Sequence, residues 1–182
     1  MGSIAAGLST SHLEGWFGDS AAIVRCMPNT PALVGMGASG LFANAKVTEE
    51  QKQLAQEVIS TVGFATWVDA DSDIDIVTAI SGSRPAYCVL FMEAMQATAM
   101  EMGLSEDLAR ALTYHTAAGA AALAQYSEDD IATLRRNVTS PGGTTEQAIL
   151  QFEDGDLRGL VAKALEAARI RSVELAEETD RT

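Results

Sequence analysis

TEEQKQLAQEVISTVGFATWV, residues Thr48 to Val68, decides the fold class. Its first part has helical spacing, with Leu54, Val58 and Ile59 on one face and charged or amide side chains on the other. Thr48 with Gln51 three residues on is a capping box, so a helix is predicted over Thr48 to Val62. Phe64 to Val68 then reads as a strand, rich in aromatic and β-branched residues. The same alternation runs upstream. Ser3 to Ala6 reads as the end of a buried strand, Thr10 to Phe17 as a short helix, Ala21 to Cys26 as a strand and Gly35 to Phe42 as another. Met27-Pro28-Asn29-Thr30-Pro31 divides the last two, because its prolines take the backbone out of both helix and strand. Strands alternating with helices imply an α/β layer with a partly parallel sheet.

From Asp73 onward the pattern is helical throughout. Ala86 to Met102 is apolar nearly all round and stops at Gly103, a residue suited to a helix C-terminus. A helix of that kind must be covered on most sides, and about a hundred residues can hardly cover it, so a partner chain is implied. Its methionines read as core or interface rather than as a cofactor box. A second helix is predicted from Ser105 to Gln125, carrying small residues at Thr116 to Ala124 that permit close helix–helix approach. Ser127 is read as the cap of a short helix reaching Arg136. Thr145 to Glu153, a break at Gly155 and a last helix from Asp156 to Glu177 complete the order, with a charged tail predicted to fray up to Thr182.

The 182 residues suffice for one core or two small ones, and 47% apolar content is that of a globular chain. A net charge of −13 argues against nucleic acid or an anionic membrane as partner and reads as a solvated acidic surface. Cys26 and Cys88 have neither metal nor redox spacing and read as two buried free thiols in a reducing compartment. No secretory leader or membrane-spanning run is recognised, which places the chain in the cytoplasm.

Two loops stand out for chemistry. In Val138-Thr-Ser140-Pro141-Gly142-Gly143-Thr144-Thr145-Glu146-Gln147, Thr144 is a predicted N-cap with Gln147 completing a capping box. Backbone N–H groups, the hydroxyls of Ser140, Thr144 and Thr145 and the positive end of a helix dipole then converge, a seat for a carboxylate or phosphate. An ordinary capped turn has the same residues. In Ile80-Ser81-Gly82-Ser83-Arg84-Pro85-Ala86-Tyr87, the serines either cap the following helix or line a site. Asp69, Asp71, Asp73 and Asp75 lack the glycine and final glutamate of a calcium loop and read as a solvated loop and helix start. His12 and His115 are far apart, and His115 reads as a hydrogen-bonded packing residue. Neither a G-x-S-x-G elbow nor a G-x-G-x-x-G dinucleotide fingerprint is read.

Met27-Pro-Asn-Thr-Pro31, Ser81-Gly-Ser-Arg-Pro-Ala-Tyr87 and Val138-Thr-Ser-Pro-Gly-Gly-Thr-Thr145 together resemble pyrroline-5-carboxylate reductases in order and spacing, and Ser3-Ile-Ala-Ala-Gly7 resembles that family's fifth-strand segment. The resemblance implies an α/β remnant of a Rossmann domain over residues 1–70. It implies an all-α dimerisation and substrate domain of the 6-phosphogluconate-dehydrogenase C-terminal-like type over 71–182. It also implies reduction of 1-pyrroline-5-carboxylate to L-proline with hydride from NADP or NAD in reduced form, the last step of proline biosynthesis, by a homodimer that can grow into a ring. By position, Ser140, Gly143, Thr144 and Thr145 would hold the substrate carboxylate, with Glu128 near the same pocket. Thr78 would donate a proton to the ring nitrogen or hold the water that does. Ala6 and Gly7 would lie at the nicotinamide end of the cofactor, with Asn29 and Thr30 nearby.

Two departures qualify the resemblance. The family's first strand, phosphate loop and ribose-reading segment have no counterpart, and Met1-Gly2 reads as a cloning junction, a truncated frame or a late start. Weak cofactor binding and little activity are therefore expected of this chain alone. Arg84 stands where the family has glycine, and a positive φ there would strain it. One rival reading is a non-catalytic dimerisation fragment. Another, a β-hydroxyacid dehydrogenase, would need a catalytic lysine, and no lysine lies between Lys52 and Lys163.

Overall fold

The computed structural model describes residues 1–179; the tail residues 180–182 lie outside the description. The chain parts into two compact units. One joins Met1–Ala86 to the C-terminal part of the last helix, and the other is Tyr87–Val161. The sequence predicts a boundary at residue 70; the first unit instead runs on to Ala86 and takes in the end of the last helix, where Ser172 Oγ donates to Asp75 at 2.7 Å.

The first unit is built on four strands, β1 (Gly2–Ser3), β2 (Val24–Met27), β3 (Gly37–Ala43) and β4 (Gly63–Trp67), in that spatial order. Helix α1 (Thr10–Phe17) carries the chain from β1 to its parallel neighbour β2, and α2 (Glu49–Ser60) carries it from β3 to its parallel neighbour β4. Between β2 and β3 the pairing is antiparallel, with Met27 opposite Gly40. The link there holds Pro28, Pro31 and the 3-10 turn Thr30–Val34, too short for a parallel crossover. The partly parallel sheet read from the sequence is present.

Gly35-Met36-Gly37-Ala38-Ser39-Gly40 does have G-x-G-x-x-G spacing, which corrects the reading that none exists. It leads out of a 3-10 turn into β3 rather than from a strand into a helix, so it forms no phosphate loop. Its middle glycine serves packing: Gly37 N–H donates to the Val62 carbonyl at 2.9 Å, and Gly63, at φ 144°, lies against the Gly37 backbone. Val24, Cys26 and Leu41 form the core, with Ala55, Ile59, Ala65 and Trp67 packed on it. Thus Ala55 and Ile59 face the sheet, whereas Leu54 and Val58, expected on the buried face, are exposed.

Helix α3 (Asp73–Val77) runs into a π turn (Thr78–Gly82) and then α4 (Arg84–Glu101). The second unit contains most of α4, then α5 (Glu106–Tyr126), α6 (Ile131–Asn137), α7 (Thr144–Asp154) and the start of α8 (Leu157–Thr179). Asp130, not Ser127, caps α6, its carboxylate accepting from the Thr133 N–H at 2.9 Å. Glu153 joins α7 to Arg135 and Arg158, and Phe91 meets Phe152 at 5.8 Å between ring centroids. Ala109 and Thr113 are the only buried residues of this unit. Val89, Leu90 and Met102 of the α4 segment are 57%, 64% and 83% exposed. Cys88 is exposed as well, not buried as expected, since no described residue covers that side of α4. His115 is likewise on an exposed face of α5 rather than packed.

Candidate functional site

Parallel pairing of β1 with β2 puts the carboxyl ends of both strands side by side, the end at which open α/β sheets bind ligands. Ala6 and Gly7 form the turn leaving β1, and Asn29 and Thr30 lie just beyond β2. Ala6 and Thr30 are exposed, while Gly7 is buried. Gly7 holds φ 72°, and a Cβ there would press on Leu175 Cβ at 3.0 Å, so this glycine serves the packing of α8.

Below that turn, α1 begins on a network that the sequence does not announce. Asp71 accepts from the Thr10 N–H at 2.9 Å and hydroxyl at 2.7 Å, and it pairs with the buried Arg25 at 2.6 Å. Asp73 accepts from the Ala70 N–H and Asp75 from Ser172. Asp71 and Asp75 therefore clamp the fold, whereas exposed Asp69 and the local contact of Asp73 fit the loop and helix start read from the sequence. His12 supplies its ring Nδ1 to the Ser9 N–H at 3.0 Å, acting where a Glu or Gln usually completes a capping box.

The π turn carries Thr78 and Ser81. Its closing bond runs from the Ser83 N–H to the Thr78 carbonyl at 2.9 Å, five residues back. π turns of a single cycle concentrate at functional sites. The Thr78 hydroxyl donates to the Ile74 carbonyl at 2.7 Å, so its hydrogen is committed and its lone pairs are what it offers. Ser81 Oγ donates back to the Val77 carbonyl at 3.0 Å and caps nothing, contrary to the capping alternative. Gly82 lets the turn sit against Met27. Arg84 begins α4 in ordinary helical conformation: among the described residues, only Asp156 is a non-glycine with positive φ. The strain anticipated at Arg84 is absent.

In the second unit, Gly142 turns the loop at φ 72° and Gly143 N–H donates to the Ser140 carbonyl at 3.0 Å. Gly143 is the N-cap of α7, which corrects the assignment to Thr144. The prolyl turn runs one residue short of what the capping box requires. The consequence favours binding. Glycine has no side chain to spend on the helix start, and the N-cap makes no side-chain hydrogen bond. First-turn N–H groups have no acceptor inside the helix, so those of Thr144 and Thr145 remain open to an anion. Ser140, Thr144 and Thr145 are exposed, and Glu146 folds back to accept from the Gly142 N–H at 2.8 Å. Glu128 is exposed in the segment before α6. No described helix is long and apolar enough to cross a membrane. Burial pushes the Cys26 thiol pKa up, which makes it a packing residue rather than a nucleophile.

Residues 71–175 match the family described as pyrroline-5-carboxylate reductase dimerisation. A pyrroline-5-carboxylate reductase of Pseudomonas aeruginosa is 52% identical over 97% of this chain and 64% of its own length. One from Vibrio alginolyticus is 46% identical over 95% of this chain and 64% of its own length. Among solved structures, a pyrroline-5-carboxylate reductase from Coxiella burnetii superposes with TM-score 0.93 at 48% identity, over 96% of this chain and 65% of that one. A Plasmodium falciparum pyrroline carboxylate reductase with NADP bound gives TM-score 0.91 at 33% identity, over 97% and 69%. The chain thus spans slightly under two thirds of the curated relatives it matches.

Proposed function

The chain belongs to the pyrroline-5-carboxylate reductase family, and from that premise we propose that it serves the reduction of 1-pyrroline-5-carboxylate to L-proline with hydride from NADH or NADPH. The observation that carries the reading is the uncapped start of α7. A helix that opens on glycine presents its first N–H groups and the positive end of its dipole to one small anion. The substrate carboxylate is that anion. Ser140, Thr144 and Thr145 hold it, while Gly143, whose own N–H is spent on the Ser140 carbonyl, shapes the turn, and Glu128 lies in the segment leading toward the loop.

Fixing the carboxylate fixes the ring, which is the positioning share of catalysis. The nicotinamide, when bound, supplies hydride to the imine carbon. The ring nitrogen must then gain a proton, so that C=N becomes CH–NH. Thr78 has its own hydrogen on the Ile74 carbonyl, which supports the version in which its lone pairs hold a water that delivers the proton. Exposed Ala6 and Thr30 at the strand ends suit the nicotinamide end of a dinucleotide, since a small side chain and a hydroxyl leave room and one hydrogen bond. Among the described residues no glycine-rich phosphate loop joins a strand to a helix, so this chain alone is proposed to bind cofactor weakly.

The working unit is a homodimer. A helical unit whose only buried residues are Ala109 and Thr113 cannot stand by itself, and the open faces of α4 and α5 are what a second copy would cover. Both thiols are free, which suits the reducing cytoplasm. The alternative of a non-catalytic dimerisation fragment predicts no ligand at the loop. NADPH oxidation with pyrroline-5-carboxylate separates the readings. The chain alone should turn over slowly or not at all. Fusing it to the part of the Pseudomonas relative that it does not span should restore turnover. No turnover by the fusion would sink the reductase reading, and full turnover by the chain alone would sink the proposed dependence.

A further inference from the structure

The Asn29 side chain is engaged with the fold at both ends. Its Oδ1 accepts from the Ala38 N–H at 2.9 Å, and its Nδ2 donates to the Ser81 carbonyl at 3.1 Å. Chemistry fixes the amide's orientation, because an N–H needs the oxygen and a carbonyl needs the NH2. One side chain therefore ties the turn after β2 to the start of β3 and to the π turn.

The tie to Ser81 answers a vacancy created by the sequence. In a helix the Ser81 carbonyl would accept from the N–H four residues on, and that residue is Pro85, which has none. The next N–H, of Ala86, is spent on the Ser83 carbonyl at 3.2 Å. A part-buried carbonyl left without a donor is costly, so a donor from outside the helix is required. Asn29 supplies it. Pro85 releases the helix from its regular ladder, the π turn takes up the extra residue, and Asn29 holds the result in place. Thr78 opens that turn and receives its closing bond from Ser83.

We propose that Asn29 is a positioning residue: by donating to the Ser81 carbonyl that Pro85 leaves open, it fixes the π turn and so the place of the Thr78 hydroxyl. This rests on the reading of Thr78 as the group beside the ring nitrogen. It gives Asn29 a task distinct from touching the cofactor. Asn29 would then govern proton delivery and leave the carboxylate loop unaffected.

The test uses the purified chain, 15N-labelled, as wild type, Asn29→Asp, Asn29→Ala and Asn29→Ala/Pro85→Ala. Asn29→Asp keeps the acceptor for Ala38 and loses the donor for Ser81. Exchange of the Ser83 amide should be about tenfold faster or more in both single variants, the size of one lost hydrogen bond to a buried group. Supplying an N–H at position 85 should return Ser83 toward wild-type protection. With L-proline as the probe, the variants should keep affinity within about threefold, since the loop at α7 is untouched, but lose the response of the Thr78 amide. Wild-type Ser83 protection and Thr78 response in Asn29→Asp would overturn the proposal. L-proline moving no signal in the wild-type chain would instead count against the function reading and the positioning role with it, while Ser83 exchange would still decide the tether.

Discussion

Glycine at position 143 and threonine at 144 have exchanged the roles that a motif reading gives them, and the exchange matters for binding. Had Thr144 been the cap, its hydroxyl would have consumed an N–H that the anion needs. With Gly143 there, a Cβ would meet the Ser140 carbonyl at 3.0 Å, so the turn tolerates little else. Gly143→Ala should open the loop and weaken L-proline binding about tenfold by calorimetry, the value of one charge-assisted hydrogen bond. Gly63 is constrained more severely, by φ 144° and by the Gly37 backbone against it. Gly63→Ala should cost about 3 kcal/mol or more in denaturant unfolding, strain and steric overlap adding together. Neither residue announces itself by spacing. Asp71 hides for a similar reason: its partners Thr10 and Arg25 lie 61 and 46 residues away, a distance at which local pattern carries no information.

At the scale of elements the sequence was most legible where a helix carries its own punctuation. The box of Thr48 and Gln51 forms as read, with both reciprocal bonds present. Thr48→Ala should therefore cost about 1 kcal/mol, read as a lower melting temperature. The start of α6 lies later than the sequence suggests because three capping-type residues, Ser127, Asp129 and Asp130, crowd one segment and only the last reaches a helical N–H. That cap carries a pH signature. The Thr133 N–H and hydroxyl hold the Asp130 carboxyl below its ordinary 3.8, so the contribution is complete above that value. It is lost as pH falls through the depressed folded value. Asp130→Asn, which caps without titrating, should flatten the acid limb of α6 fraying measured by amide exchange; an unchanged limb would contradict the assignment. The π turn was not legible. Pro85 flags a helix start, and only the fold reveals that a carbonyl four residues earlier needs Asn29.

For the molecule as a whole, the sequence points to a partner chain. An α4 apolar nearly all round was read as needing a partner chain, and α4 has no buried residue within this one. Sedimentation should find the chain dimeric at micromolar concentration, and Leu90→Glu, on the open face, should yield monomers with lowered melting temperature. A monodisperse wild-type monomer would refute the proposed dimer. The α/β layer was readable from the alternation of periods, whereas the antiparallel step between β2 and β3 was not, since it follows from loop length and not from residue pattern.

The central claim is that the N-terminus of α7 seats the carboxylate of a cyclic imino acid. Titrating the 15N-labelled chain with L-proline, and separately with pyrrolidine, tests it most directly. The account predicts saturable shifts of the Gly143, Thr144 and Thr145 amides with L-proline and none with pyrrolidine, which has the ring but no carboxylate. Amides that stay still with L-proline, or move equally with pyrrolidine, would contradict it.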